Sequence, residues 1–425
     1  MEGSKTFAKD FMARHNIPTA RYKNFGDYEK AKEHLDKVPY KVVIKATGLA
    51  AGKGVILPSS VEEARAALKG IMLNKQFGSA GDEVVIEEYL EGQELSFLSF
   101  SDGSRIQTLA PGQDHKNIYD SDNGPNTGGM GCYAPSPIAT PELIEEVHRT
   151  ILQPTIDGMR KERIPFHGLL FTGLMITKDG PRTLEYNVRF GDPETQTMLP
   201  LMDGDLADVM LACTEGCLDA VSVKTHSGYA ATVVASAGGY PGPYVRGDEI
   251  NLDAPPVDTQ IFHAGTAIPS APEAQSHAQA PKLITSGGRV IAATSIAKSL
   301  KAAIDKAYEG MSTIHFPNMH YRTDIGKKGL EALDVQAAQR KGNLTNGESL
   351  TYASAGVSIA AGDEFVHRIK PLVRSTARPV RHTSPFAYFQ VNQDFVKNTH
   401  VRLAALRLRP RVIASFAKTL LFKGA

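Results

Sequence analysis

The run Leu184-Glu185-Tyr186-Asn187-Val188-Arg189-Phe190-Gly191-Asp192-Pro193-Glu194-Thr195-Gln196 sets carboxylate, amide and guanidinium groups beside a Gly-Asp-Pro turn. Residues 183 to 188 alternate in polarity, so a strand there projects Glu185 and Asn187 from one face. Hard oxygen ligands at that spacing suit a divalent cation, with Arg189 on the same side, where phosphates would lie. A merely polar strand face has the same spacing, so the pair gains meaning only from what accompanies it.

The first companion is Lys45-Ala46-Thr47-Gly48-Leu49-Ala50-Ala51-Gly52-Lys53-Gly54-Val55. It places a lysine on each side of a flexible turn whose small residues let backbone N–H groups approach phosphate oxygens. It is not a Walker P-loop: three residues separate Gly48 from Gly52-Lys53, and Gly54 stands where a magnesium-binding Ser or Thr belongs. The competing reading is an ordinary tight turn. Next comes Glu87-Glu88-Tyr89-Leu90-Glu91-Gly92-Gln93-Glu94, a strand end, a turn and an acid. Such a hinge presents backbone groups to an adenine edge and Glu94 to ribose hydroxyls; as a lone segment it is a solvated acidic turn. Finally, the polar, glycine-dense stretch from Gln113-Asp114-His115-Lys116 to Asn126-Thr127-Gly128-Gly129-Met130-Gly131 reads as a functional loop. Its N–H groups are aimed at an anion, and Asp114 holds a substrate ammonium. His115 reads as a surface or loop histidine with no catalytic role.

Elements must carry these groups. The spacing of Phe7, Phe11 and Met12 predicts a helix over 5–15, and Val42, Val43 and Ile44 predict a buried strand over 38–46. Ser60 followed by Glu63 is a capping-box pattern opening a helix over 61–73. Strands are predicted at 55–57, 83–89, 94–100, 105–110, 168–177 and 182–188, and a helix over 141–162. A second pattern follows, with strands at 228–237, 260–265 and 289–295 and a helix over 296–309. The mixed order predicts an α+β architecture.

At 425 residues, with 42% apolar content, the chain has material for several domains with large cores. A balance of 47 basic against 46 acidic residues gives no general attraction to nucleic acid or an anionic membrane, which favours small-molecule substrates. Cys132, Cys213 and Cys217 lack metal-site spacing and read as idle thiols of a reducing compartment. With no apolar signal core at the start and no long apolar run, the expected location is cytoplasmic.

Taken together, His15-Asn16-Ile17-Pro18-Thr19-Ala20, Lys45 to Val55, Gln113 to Lys116, Gly124 to Gly131 and Arg189 to Gln196 closely resemble phosphoribosylamine-glycine ligase, the glycinamide ribonucleotide synthetase of purine biosynthesis, over residues 4 to about 322. The resemblance implies an ATP-grasp fold of two α+β subdomains over 1–213, then a small carboxy-terminal β-rich ligase domain over 214–326. It implies that Lys5, Lys45 and Lys53, with Gly52 and Gly54, face ATP phosphates, that Glu87, Tyr89 and Leu90 line the adenine hinge, and that Glu94 takes the ribose. Glu185 and Asn187 match the family's ligands for Mg2+ or Mn2+; Asp114, Asn126, Thr127, Gly128 and Arg189 match its substrate positions, with Arg189 and Lys53 as catalytic electrostatic groups. The implied reaction joins glycine to 5-phosphoribosylamine through a glycyl phosphate; another ATP-grasp carboxylate–amine ligase and a non-catalytic Mg-ATP-binding piece are the alternatives.

Against the family pattern, the expectation is that an amino-terminal domain is missing, which a separate polypeptide would complement. Residues 327–348 read as a polar linker. Residues 349–379 resemble the start of aminoimidazole ribonucleotide synthetase, broken off before its catalytic segments, and 380–425 read as an irregular or disordered basic tail.

Overall fold

The computed structural model describes residues 1–50, 54–269 and 282–345. Gly52, Lys53, the 349–379 segment and the 380–425 tail lie outside the described residues. The chain divides into two units, Met1–Gln336 and Ala337–Ala425, and the site residues described below belong to the first.

Three antiparallel sheets organise that unit. The first has the order Tyr22–Phe25, Val84–Glu88, Val42–Ala46, Val55–Ile56. One face buries Ile44, Ala46, Val84 and Ile86 against Ala31 and Leu35 of the helix Tyr28–Leu35 and Leu68 and Ile71 of Val61–Met72. Because strand side chains alternate, Lys45 and Glu87 emerge on the opposite face. Ser60 caps Val61–Met72 through the Glu63 amide, as the sequence predicts, but the Glu63 carboxylate reaches the Ser59 N–H and hydroxyl rather than Ser60.

The second sheet runs Gly180–Asn187, His167–Thr177, Gln93–Asp102, Ile106–Thr108. Leu95, Phe97, Leu170 and Tyr186 pack on one side against Phe11 and Met12 of the helix Lys5–Arg14 and Ile151 and Ile156 of the helical stretch 141–161. Its register puts Ser96 opposite Gly173 and Gly173 opposite Glu185, so a glycine separates these polar side chains along one row. A Cβ added at 173 would touch the Glu185 Cγ at 3.5 Å, an ordinary van der Waals contact.

The third sheet, Thr259–His263, Arg289–Ala297, Tyr229–Ser236, Gly131–Ala134, Gln113–Asp114, joins late and early parts of the chain. Its core, Ala231, Val233, Ile291 and Ala293, is closed by Ala303, Ala307 and Met311 of the helix Leu300–Met311. The predicted helix over 296–309 starts later because Ile296 and Ala297 continue the strand and Ser299 supplies the cap, accepting from the Ala302 N–H. Residues expected to be a turn-rich linker from 327 instead form the helix Lys327–Thr345. Leu330 and Leu333 pack on the third core, and Gly329 lies so close to Tyr133 that a Cβ would meet the ring at 2.5 Å. Among the described residues, no helix is long and apolar enough to cross a membrane.

Candidate active site

The centre of the cleft is a buried carboxylate shared by ammonium groups. Glu87 pairs at 2.5 Å with Lys9 and at 2.5 Å with Lys45, all three side chains being almost wholly buried. Burial pushes the Glu87 carboxyl up, but Lys45 and Lys9 more than reverse that and hold it below its usual range. Burial, and the repulsion of Lys45 against the attraction of Glu87, brings the Lys9 ammonium down to about 8. Lys5, at the start of its helix and donating at 3.3 Å to the Gly48 carbonyl, is also lowered by burial, against the pull of Glu185.

Lys45 reaches from the first sheet to the second. Its Nζ donates at 3.1 Å to the Leu184 carbonyl, beside Glu185. Lys9 makes a parallel strut: Nζ donates at 2.7 Å to the Thr19 hydroxyl, which donates at 2.6 Å to the Thr183 carbonyl. The lysines and the strand carrying Glu185 and Asn187 therefore face one space. Tyr186, between those residues, points the other way into the core. The turn after the lysine strand is tight at its described end, since a Cβ on Gly54 would lie 2.7 Å from the Ala50 Cβ. At the hinge, Tyr89 is exposed and Leu90 partly buried, and the Tyr89 N–H donates at 2.8 Å to the Lys41 carbonyl.

A second charged group lies on the continuation of this face. Lys116 bonds Glu94 at 2.5 Å. Burial lowers Lys116, but the carboxylates of Asp114, Glu94 and Glu185 raise it well above its ordinary value. Glu94 is lifted by burial and brought below its usual range by Lys116, so the side chain expected at the ribose is engaged by a lysine. Asp114 is raised by burial, with Glu94 adding to the effect, and its Oδ1 is buried without a protein partner. Glu194 is 4% exposed, receives the Ser96 hydroxyl at 3.4 Å, and is raised to about 8 by burial and then by Asp114.

Several expected positions are arranged differently. Arg189 is about half exposed, with Nε 3.0 Å from Glu2 Oε1, and Glu2 Oε2 also accepts the Val188 N–H. The glycine-dense loop does not turn its N–H groups on an open anion site: Thr127 N donates to the Lys116 carbonyl at 2.7 Å, Gly128 N to the Tyr240 hydroxyl at 3.3 Å, and Gly129 N to the Thr127 hydroxyl at 3.0 Å. Asn126 is exposed on the strand Asn123–Asn126. His115, expected at the surface, is 3% exposed and accepts the Gly326 N–H at 3.4 Å through Nε2; burial, with Arg322 adding, brings it down to about 4.

A family model for the phosphoribosylglycinamide synthetase ATP-grasp (A) domain matches residues 3–195, and one for the phosphoribosylglycinamide synthetase C domain matches 230–328. The crystal structure of phosphoribosylamine–glycine ligase from Thermotoga maritima is 36% identical, with a TM-score of 0.67 over 76% of this chain and 78% of that one. The chain belongs to the phosphoribosylamine–glycine ligase family. It is also 55% identical over 380 residues to the bifunctional purine biosynthetic protein ADE1 of Schizosaccharomyces pombe, a match covering 89% of this chain and 46% of that protein. The chain thus spans about half the length of the curated relatives it matches. A 17% identical biotin carboxylase domain from Hydrogenobacter thermophilus, in complex with MgADP, ADP and bicarbonate, shares the fold with a TM-score of 0.57 over 75% of this chain and 67% of its own. The ATP-grasp expectation therefore holds, and the third sheet combines strands from both matched segments: Gln113–Asp114 and Gly131–Ala134 from the first, and Thr259–His263, Arg289–Ala297 and nearly all of Tyr229–Ser236 from the second.

Lys9, Glu194 and Arg289 escaped the sequence reading. Lys9 offered the only available signal, a lysine amid the buried positions of a predicted amphipathic helix. Glu194 lies within the quoted run with nothing local to single it out, and Arg289 opens an otherwise apolar strand.

Proposed function

We propose that the chain performs the family's reaction, ATP-dependent joining of glycine to 5-phosphoribosylamine to give glycinamide ribonucleotide, ADP and phosphate. The observation that carries this reading is the Lys45 hydrogen bond to Leu184, which sets the cations of one sheet against the Glu185–Asn187 face of the other. Glu185 and Asn187 would hold Mg2+ or Mn2+ by the chemistry of their donors: both supply hard oxygens from one strand face. When bound, the ion neutralises phosphate charge.

The glycine carboxylate attacks the γ-phosphorus, the bond to the ADP oxygen breaks, and glycyl phosphate forms. The amine of phosphoribosylamine then attacks the carbonyl carbon, phosphate leaves, and the amine loses a proton. Lys5 and Lys45 stabilise the phosphate oxygens electrostatically, the role also assigned to Lys53 and Arg189. Glu87 holds Lys45 in place, and with the Tyr89 N–H engaged by the Lys41 carbonyl the adenine edge falls to the Leu90 backbone. Asp114 Oδ1 accepts the glycine ammonium, the one partner its buried oxygen lacks. Asn126, Thr127 and Gly128 border the acceptor, and Glu94, once Lys116 yields one oxygen, takes a ribose hydroxyl. Free thiols at Cys132, Cys213 and Cys217 suit a cytoplasmic setting.

Calorimetry with Mg-ATP and direct detection of glycinamide ribonucleotide test the reading. Binding together with glycine-dependent ADP release and product supports it; a folded protein that gives no heat with Mg-ATP overturns it. Assays with and without a relative's separately supplied amino-terminal segment show whether complementation raises turnover.

A further inference from the structure

Arg289 opens the long second strand of the third sheet, yet its guanidinium serves the substrate loop. Nη1 donates to the carbonyls of Gly128 at 3.1 Å, Gly129 at 3.2 Å and Asp192 at 2.7 Å, while Nη2 reaches Asp192 Oδ2 at 3.2 Å. The side chain is only 20% exposed. The loop is shaped to admit it: a Cβ on Gly128 would stand 2.7 Å from Nη2. Gly129 takes a φ of +119°, and a Cβ there would meet Pro193 at 2.5 Å. From the same late part of the chain, the Tyr240 hydroxyl accepts the Gly128 N–H, and a Cβ on Gly288 would meet the Tyr240 ring at 2.2 Å. Asp192 is held from its other side, where Oδ1 accepts from Gln196 at 2.9 Å. One cation thus joins the Thr127–Gly129 loop, the Gly-Asp-Pro turn and the third sheet, and only a planar, multi-donor group can span those acceptors at once.

We propose that Arg289 is a positioning residue for the ligase reaction: it locks the 127–129 loop to the 191–193 turn so that the loop meets glycine and phosphoribosylamine in one fixed place. The inference rests on the function proposed above, because it takes this loop as bordering the acceptor. Displacing such a loop by about 1 Å costs a large factor in productive encounter without touching the nucleotide cleft.

The test compares the full chain with Arg289→Met and Arg289→Lys. Arg289→Met is expected to raise the KM for glycine or phosphoribosylamine about tenfold or more while the Kd for Mg-ATP stays within about twofold, and Arg289→Lys to restore part of the loss. Unchanged KM values, or a Mg-ATP Kd rising by the same factor as KM, overturn the proposal. Should Arg289→Met fail to fold, Gly128→Ala displaces the guanidinium from the opposite side and is expected to give the same KM effect; no KM effect there overturns the proposal too. Hydrogen exchange separates this inference from the functional reading on which it rests. Arg289→Met is expected to speed exchange at the Thr127, Gly129 and Met130 amides and to leave Ile44 and Val85 unchanged, whether or not the wild type turns over. No wild-type turnover with altered loop exchange sinks the assigned reaction and keeps the latch; unaltered loop exchange sinks the latch.

Discussion

The lysine cleft and the seam around Arg322 are built from the same kinds of charge and finished in opposite ways. At the seam, a guanidinium with no exposed surface forms a two-point pair with Asp324 at 2.8 Å on each side, and Nη1 adds the Asn117 carbonyl and Asp122, each at 3.1 Å. Asp324 Oδ2 takes the Ser121 N–H, Lys328 bonds Asp122, Asp120 takes Thr323, and His320 reaches the Ile118 carbonyl. Each charge has its complement. In the cleft, Lys9 and Lys45 share the one buried carboxylate of Glu87 while Lys5 bonds only the Gly48 carbonyl, and nearby Asp114 keeps a buried oxygen with no partner. Satisfied charge is scaffold, and charge left without its complement marks where a ligand completes the electrostatics.

The comparison breaks first at the seam. Arg322→Met leaves Asp324 without its cation and Asp122 to Lys328 alone; removing one partner of a fully buried pair costs about 3–5 kcal/mol, and the partial exposure of both acids brings the expected loss to about 2–3 kcal/mol. Urea unfolding is expected to show that loss, with Mg-ATP affinity of the remaining folded fraction unchanged. A variant as stable as the wild type, or one that keeps its stability and loses nucleotide binding, would place the seam in the functional machinery.

Asp114→Asn is the mirror experiment. If the unpartnered oxygen awaits the glycine ammonium, neutralising it lowers kcat/KM for glycine by on the order of 100-fold, the scale of a buried charge pair losing one member. Stability should change little, because relief of a buried carboxylate is offset by the loss of its attraction for the Lys116 ammonium. A stability loss with glycine kinetics intact would make Asp114 scaffold.

How legible these regions were in the sequence follows the same division. Glu185 and Asn187 were readable because strand alternation alone fixes a common face, and the packed Tyr186 between them agrees. Lys45 was readable because apolar Val42 and Ile44 define the opposite face of its strand. The seam was not: Asp120, Asp122, Arg322 and Asp324 come from segments some two hundred residues apart, and no local period announces that they meet. The helix Lys327–Thr345 was missed for a related reason. Its polar residues outnumber the few apolar ones, and what recruits its start is tertiary, Leu330 and Leu333 settling on the core around Tyr133. Loop N–H groups likewise looked free in sequence but are spent on Lys116, Thr127 and Tyr240 in the fold.

A smaller effect sharpens the cleft side. Lys9, lowered to about 8, loses its charge on going from neutral to mildly alkaline pH, before an ordinary lysine at 10.5 would. Discharge leaves Glu87 wholly to Lys45 and removes positive potential from the cleft. Mg-ATP Kd is therefore expected to rise several-fold as pH climbs through about 8, and Lys9→Met to flatten that step. The stability effect has the opposite sign: between about 8 and 10.5 the unfolded chain holds the proton that the folded chain has released, so stability gains with pH. A Kd step at this pH that persists in Lys9→Met would assign it to another group.

Glu194 gives the smallest expected change in turnover and the finest discrimination between the two kinds of region. It is more deeply buried than the partly exposed seam acids and lacks their cations, and burial together with Asp114 raises it from 4.5 to about 8. At neutral pH it is mostly a neutral acid, so Glu194→Gln keeps the uncharged form and should hold turnover at pH 7 within about twofold. Between 4.5 and about 8 the folded wild type retains a proton that the unfolded chain gives up, so its stability falls as pH rises through that window. The glutamine variant has no such proton, and its stability should gain on the wild type across the same interval, as read from Tm against pH. A parallel pair of Tm curves would mean that Glu194 is ionised in the fold. A tenfold loss of turnover at pH 7 would mean that its carboxylate, and with it an additional negative charge beside Asp114, takes part in the reaction.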